Sequence, residues 1–235
     1  MSSQQGKDGQ PQITAAMVKA LREKTGAGFN DCRAALIEAK GDMDAAVAIL
    51  REKGQAAAKK KEQRAASEGA VGNYLHAGGR IASLVEVNCE SDFVARTEEF
   101  QRLCHDLAMH VAALNPRFVR REDVPPELVE QLQAAFREQA LASGKPENVV
   151  ERIVEGKLDK FYSETCLYEQ HFIKEEQITV RELIQHSIAK VGENIAVRRF
   201  ARFKVGEHAA EGEPGPAPAD SGPAAPVSAG PLPRS

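Results

Sequence analysis

The amino-acid sequence predicts an α+β protein: a small helical bundle in front, a helix-covered small antiparallel sheet behind it, and an unstructured tail. Three observations carry this. Residues 13–54 place apolar side chains at helical spacing between glycine breaks. Residues 70–87 hold two β-rich runs around Gly78-Gly79. A third alternating run, Asn194–Phe203, comes from far along the chain and must return to that hairpin to find a strand partner.

Taken in order, residues 1–12 are polar and read as a disordered N-terminus. Thr14 is placed to cap a helix reaching about Lys24, with Val18 and Leu21 on its apolar face. Thr25-Gly26-Ala27-Gly28 stops it, because glycine supplies the positive φ that a tight corner needs. A second helix is expected from about Asn30 to Lys40, burying Ala35 and Leu36. Gly41 breaks it, and Asp42 caps a third carrying Met43, Val47 and Leu50, which Gly54 is expected to end. Residues 13–54 thus form a three-helix module with a small core, the kind of bundle that serves in binding. Residues 55–67 are basic and Ala-rich and read as a solvated helical linker. Contact with an acidic or RNA-bearing partner is the sharper alternative for this segment. It has no interleaved aromatics to stack on bases.

Residues 68–205 read as the α+β core. The hairpin is followed by an amphipathic helix over about Glu98–Leu114, with Phe100, Leu103, Leu107, Val111 and Leu114 at spacings of three and four. Pro125-Pro126 opens a helix to about Ala142, Pro146 opens the next, and Val180–Val191 is a further one stopped by Gly192. A sheet of about three strands leaves edges, and an edge invites a second copy, so a homodimer is expected. Residues 206–235 hold seven of the twelve prolines and read as a disordered Pro/Ala tail.

Composition excludes several classes of function. The net charge of −3 gives no overall drive toward nucleic acid, and no direct nucleic-acid binding is expected. The first dozen residues are not a signal peptide, and no apolar run approaches the ~20 residues of a membrane span. No membrane association and a cytoplasmic location are therefore expected. The four cysteines, Cys32, Cys89, Cys104 and Cys166, form no C-x-x-C pair and read as buried reduced thiols. No metal site and no cofactor are expected. Gly26-Ala27-Gly28 lacks the third glycine and the preceding strand of a dinucleotide loop, and no G-x-x-x-x-G-K-[ST] is present. His105 and His110 lie five apart, off the zinc-helix spacing. Cys89 and His76 sit on neighbouring predicted strands, but no nucleophile-elbow glycines surround the thiol.

What remains is Ser91-Asp92-Phe93, where a strand passes into a helix. Two readings stay open on the residues alone. Ser91 or Asp92 caps the helix and Phe93 folds back as a staple, or Phe93 reaches outward as an aromatic probe for a partner.

At these residues the chain resembles the translation elongation factor Ts family. The resemblance runs from about Ile13 to Val205. It rests on Leu21–Leu36 (LREKTGAGFNDCRAAL), on Glu86–Arg96 (EVNCESDFVAR), and more weakly on Gly192-Glu193-Asn194-Ile195 with Arg198-Arg199-Phe200. It implies a ubiquitin-associated-like fold for the front module and a function in guanine-nucleotide exchange on the GTPase elongation factor Tu. The factor would not be an enzyme of covalent chemistry. It further implies that Ser91, Asp92, Phe93 and Val94 push between helices of that partner, with Asp92 and Phe93 disturbing its magnesium site. Arg22, Phe29 and Asn30 would touch the partner's nucleotide domain. The family commonly has Thr at the position of Ser91 and Met-Met at Phe29-Asn30. Longer members carry two core subdomains, so one core here also implies a homodimer. Two rivals from other classes are an adaptor that dimerises without exchange and a thiol hydrolase using Cys89.

Overall fold

A computed structural model describes residues 13–207. The expectations for residues 1–12 and for the tail from 208 onward lie outside the described residues. The described chain is α+β: eight α-helices, a three-stranded sheet and a two-stranded one.

Three helices open the chain: α1 (Ala15–Thr25), α2 (Phe29–Glu38) and α3 (Met43–Lys61). Thr14 caps α1 by accepting the Met17 N–H, and Gly26 closes it at φ 69°. Asp42 caps α3 through the Ala45 N–H at 2.9 Å. Val18, Leu21, Cys32, Ala35, Leu36 and Ala46 form the small buried core between them. α2 begins one residue before the expected Asn30 and ends at Glu38, because Lys40 and Gly41 already take positive φ.

One expectation is corrected: Gly54 does not end α3, which continues to Lys61. This glycine faces α8 (Val180–Val191), and a Cβ placed on it would meet the Ala189 Cβ at 3.5 Å. It is a packing glycine at a helix crossing, not a stop, and the Ala-rich segment after it carries the helix onward. Arg51 on α3 reaches Glu182 on α8 at 2.6 Å, and Ala58 is buried in the main core. The first half of the expected linker is therefore helix packed on the core.

The hairpin is β1 (Glu68–Leu75) and β2 (Ile81–Cys89), antiparallel, with Gly78 and Gly79 both at positive φ in the turn. The late strand β5 (Ile195–Lys204) pairs antiparallel with the other side of β2, giving the order β1-β2-β5. Its register shifts between Glu86 and Val87, which pair with Arg199 and Val197, so Arg198 is a bulge. Val85, Val87 and Cys89 of β2 face inward, where α5 (Glu98–Leu114) lays Phe100, Leu103, Leu107 and Val111 on them. Leu114, last of the predicted stripe, is exposed at the helix end. β1 and α5 approach so closely that a Cβ on Gly72 would lie 2.2 Å from the Cys104 carbonyl oxygen.

Between α5 and α8 the chain forms α6 (Pro126–Ala142) and α7 (Glu147–Thr165), a helical hairpin with its own cluster around Ala140, Val150, Val154 and Leu158. Ahead of α5 lies the short α4 (Asp92–Ala95), described below; following α7 is a small hairpin, β3 (His171–Phe172) and β4 (Glu175–Thr179). That hairpin is absent from the sequence prediction, because only Phe172 and Ile178 in it are buried and its strands show no alternation. It closes over His110, a fully buried side chain on α5. Nδ1 of His110 accepts the Ile173 N–H at 3.3 Å, so Nε2 carries the proton and donates to Gln170 Oε1 at 3.0 Å. Burial pushes its pKa down, against a smaller opposing pull from Gln170.

Two consequences can be measured. Gly72→Ala forces a backbone clash, so it should cost about 3 kcal/mol and lower the melting temperature by about 10 °C; an unchanged melt would refute the close approach. The second concerns pH. Unfolded histidine protonates at about pH 6.5, whereas folded His110, and His186 with it, does so only at lower pH. Their contribution is present above about pH 6.5 and is lost as pH falls toward the folded values. The urea midpoint should therefore drop between about pH 7.5 and about pH 5.5, a window in which ordinary carboxylates stay ionised.

Candidate functional site

The inward face of β2 ends at Cys89, and the chain then turns outward. Ser91 adopts an extended conformation, φ −129° and ψ 152°, and its Oγ accepts the Val94 N–H at 3.4 Å. It thereby caps α4 (Asp92–Ala95), a single helical turn. Thr97 accepts the Phe100 N–H at 3.3 Å and starts α5 immediately afterwards. The turn is anchored from below by Val94 and Ala95, each 6 % exposed.

Phe93 points the other way. At 76 % exposure it is the most exposed large apolar side chain among the described residues. The staple reading is thereby excluded. Asp92 is also exposed and pairs with Arg96 at 2.8 Å, one turn along. Val94, which the resemblance groups with the wedge, is buried in this structure: each step along a helical turn rotates the side chain by about 100°, so Val94 packs on the core while Phe93 leaves it.

The capping serine is held from across the sheet. Glu193, between α8 and β5, accepts the Ser91 N–H at 3.0 Å with Oε2 and the Ser91 Oγ–H at 2.7 Å with Oε1. Beside it, the Asn194 N–H donates to Glu90 Oε1 at 2.6 Å. The Asn194 amide donates to the carbonyls of Glu62 and Arg64 at 3.3 and 2.7 Å. Sequence reasoning assigned no role to Glu90, Glu193 or Asn194. The available signal was a pair of polar residues wedged between a helix stop and a strand.

The thiol reading of Cys89 loses its partner. The antiparallel register sets Cys89 opposite Glu68, while the His76 N–H bonds to Ile81 at the far end of β2. The histidine is thus a whole strand away, roughly 25 Å at strand spacing. Burial, with Glu193 adding to it, pushes the Cys89 thiol up, and Cys104 is raised to about 12. Both are held as neutral thiols, the opposite of an activated nucleophile. Among the described residues no group of His, Cys, Asp and Glu could hold a metal ion, and no helix is long and apolar enough to cross a membrane.

The second predicted surface lies at the α1–α2 corner. Arg22 is exposed in the last turn of α1, and Phe29 and Asn30 are exposed at the start of α2, Phe29 by 50 %. Between this corner and the core runs a groove of about 810 Å³, with Gly26, Gly28 and Asp31 on one wall and Glu99, Ile178 and Lys190 on the other. Phe29 at this corner and Phe93 on α4 are thus both outward aromatic positions.

Comparison with known proteins identifies the family. The family model described as elongation factor TS matches residues 12–207. An elongation factor Ts from Koribacter versatilis is 60 % identical over 195 residues, covering 83 % of this chain and 89 % of the relative. One from Carboxydothermus hydrogenoformans is 58 % identical over 201 residues, 86 % of this chain and 93 % of the relative. One from Geobacter sulfurreducens is 56 % identical over 195 residues, 83 % and 90 % respectively. With a match that spans nearly every described residue, the chain belongs to the elongation factor Ts family of translation elongation factors.

Proposed function

We propose that this protein is a guanine nucleotide exchange factor for elongation factor Tu, acting without covalent chemistry. The observation that carries the reading is Phe93: a large aromatic side chain held out from the surface on a turn whose base is buried and whose cap is clasped. An aromatic exposed in this way has free energy to gain from a partner's pocket, about 1.5–3 kcal/mol on full burial.

Exchange follows from linkage. A factor that binds the nucleotide-free partner more tightly than the nucleotide-bound one weakens nucleotide binding by the same factor. Inserting Phe93 between partner helices would displace groups that hold Mg²⁺ and phosphate. Mg²⁺ demands near-ideal octahedral geometry and leans on few protein ligands, so small displacements weaken it. Asp92 would add charge at the same place. Arg22, Phe29 and Asn30 would provide the second contact, on the partner's nucleotide domain, through the module of residues 13–54. A cytoplasmic location goes with this role.

We also propose that the protein is a homodimer. The supporting surface is the open face of the sheet more than its edges. Val71, Leu75, Leu84 and Phe203 are all exposed there, and the register sets Leu84 between Asn73 and Ala201 and Ala82 between Leu75 and Phe203. Apolar surface of this kind is what a second copy would cover.

The two proposals have separate tests. Phe93→Ala should leave the melting temperature within about 2 °C, since an exposed side chain is removed, yet slow the stimulated release of labelled GDP from elongation factor Tu by at least about tenfold. Equal release rates would sink the wedge and favour the adaptor reading. For the dimer, Leu84→Glu with Phe203→Glu should shift the sedimenting species to half the mass without unfolding it; a wild-type chain that already sediments as a monomer would refute the dimer.

A further inference from the structure

A four-residue helix has almost no stability of its own, because nucleating a turn fixes several dihedrals for very few hydrogen bonds. α4 closes with Ala95 N–H to Ser91 O and Arg96 N–H to Asp92 O, both 3.2 Å. Its exposed Asp92–Arg96 pair adds little. Something outside the turn must therefore set the direction in which Phe93 projects.

Burial of Val94 and Ala95 decides which side of the turn faces the core, and the ladder between β2 and β5 holds its start. The last backbone pair is Cys89 with Ile195. Continuing that register by one residue sets Glu90 opposite Asn194, and by two residues Ser91 opposite Glu193. At these positions side chains take over from the ladder, with Glu90 binding the Asn194 N–H and Glu193 binding the Ser91 N–H and hydroxyl. The bulge at Arg198 decides the matching. On its far side Glu86 pairs with Arg199, on its near side Val87 pairs with Val197. Without the extra residue Asn194, not Glu193, would stand opposite Ser91. Bulges recur where a side chain has to be re-aimed.

We propose that Glu193 is a positioning residue for nucleotide exchange: it acts through Ser91 to hold the α4 turn, and so fixes the projection of Phe93. The proposal rests on the exchange reading above. A carboxylate is suited to the task because it accepts from both the backbone N–H and the hydroxyl of one residue. Gln can still accept one and donate to the other. Ala can do neither, and Asp keeps the charge but falls a methylene short.

The test uses the full chain and two readouts: amide hydrogen exchange in the free protein, and the maximal rate of GDP release from elongation factor Tu at saturating factor. In Glu193→Ala the amides of Ala95 and Arg96 should exchange at least about tenfold faster, the net loss expected for about one hydrogen bond once water takes the place of the carboxylate, while those of α5 keep their protection. The maximal release rate should fall by about tenfold, with little change in the half-saturating concentration. Glu193→Gln should restore most of both. Adding Glu193→Ala to Phe93→Ala should cost no further rate, since the two act through one side chain. Should Glu193→Ala fail to fold, Glu193→Asp takes its place in each comparison. Unchanged amide protection, or an undiminished loss in the Phe93→Ala background, would overturn the proposal alone. A wild-type chain that leaves GDP release unchanged would overturn the exchange reading and this proposal with it.

Discussion

The structure depends on β2 being paired on both sides. Val85, Val87 and Cys89 turn inward from it and form one wall of the main core, against α5. β1 reaches it through a local turn, but β5 arrives only after α5, α6, α7 and α8 have been laid down. The entropic cost of closing so long a connection grows only slowly with its length. Once closed, it brings the stretch before β5 beside the stretch after β2, and these two stretches carry the cap of α4 and its clasp. The turn that carries Phe93 is thus built at the place where the fold makes its longest-range strand pairing.

The same corner ties the front helices to the core. α3 ends with carbonyl groups that have no partner within the helix, as every helix does. Asn194 donates to two carbonyls there, those of Glu62 and Arg64, while its own N–H goes to Glu90. Arg64 also approaches Glu90, at 3.5 Å. Along the shaft of α3, Arg51 and Gln55 both meet Glu182, whose carboxylate also serves the capping box at Thr179. The α1–α2 corner and the α4 turn are therefore mounted on one frame through α3 and α8, and on the exchange reading that is what two contacts to a single rigid partner would require.

Much of this could be read from residues alone, for reasons that differ by element. The strong stripe from Phe100 to Val111 and the Gly78-Gly79 turn are local signals, and both appear where expected. Gly54 misled because a glycine that permits helix contact has the same letter as one that stops a helix; only its neighbour across the crossing, Ala189, separates the two. The β3–β4 hairpin was invisible because its strands are short and polar and are held by contacts to a distant helix. At the site, Ser91 and Phe93 were recognisable as a cap and a probe, but whether Phe93 turned in or out depended on Val94 and Ala95 taking the buried side. Glu193 could not be found locally at all, since its partner lies more than a hundred residues away and its matching hinges on a bulge.

On the exchange reading, the geometry also bears on how the work divides between Asp92 and Phe93. Asp92 is engaged with Arg96, but both side chains are mostly exposed, and such a pair on a helix surface is worth only about 0.3–0.5 kcal/mol. Its carboxylate can leave Arg96 at little cost, but it is still largely hydrated and would have to lose that hydration at the partner. Phe93 is apolar and 76 % exposed, so it carries little desolvation penalty, and burial of its ring would be a gain of up to about 1.5–3 kcal/mol. The larger share of binding free energy therefore falls to Phe93, and the direction of its push is set by the clasped cap. On that reading Asp92 would contribute mainly through where its charge is delivered, next to a cation whose ligand geometry tolerates little disturbance. The two residues share one turn, so whatever fixes the turn fixes both.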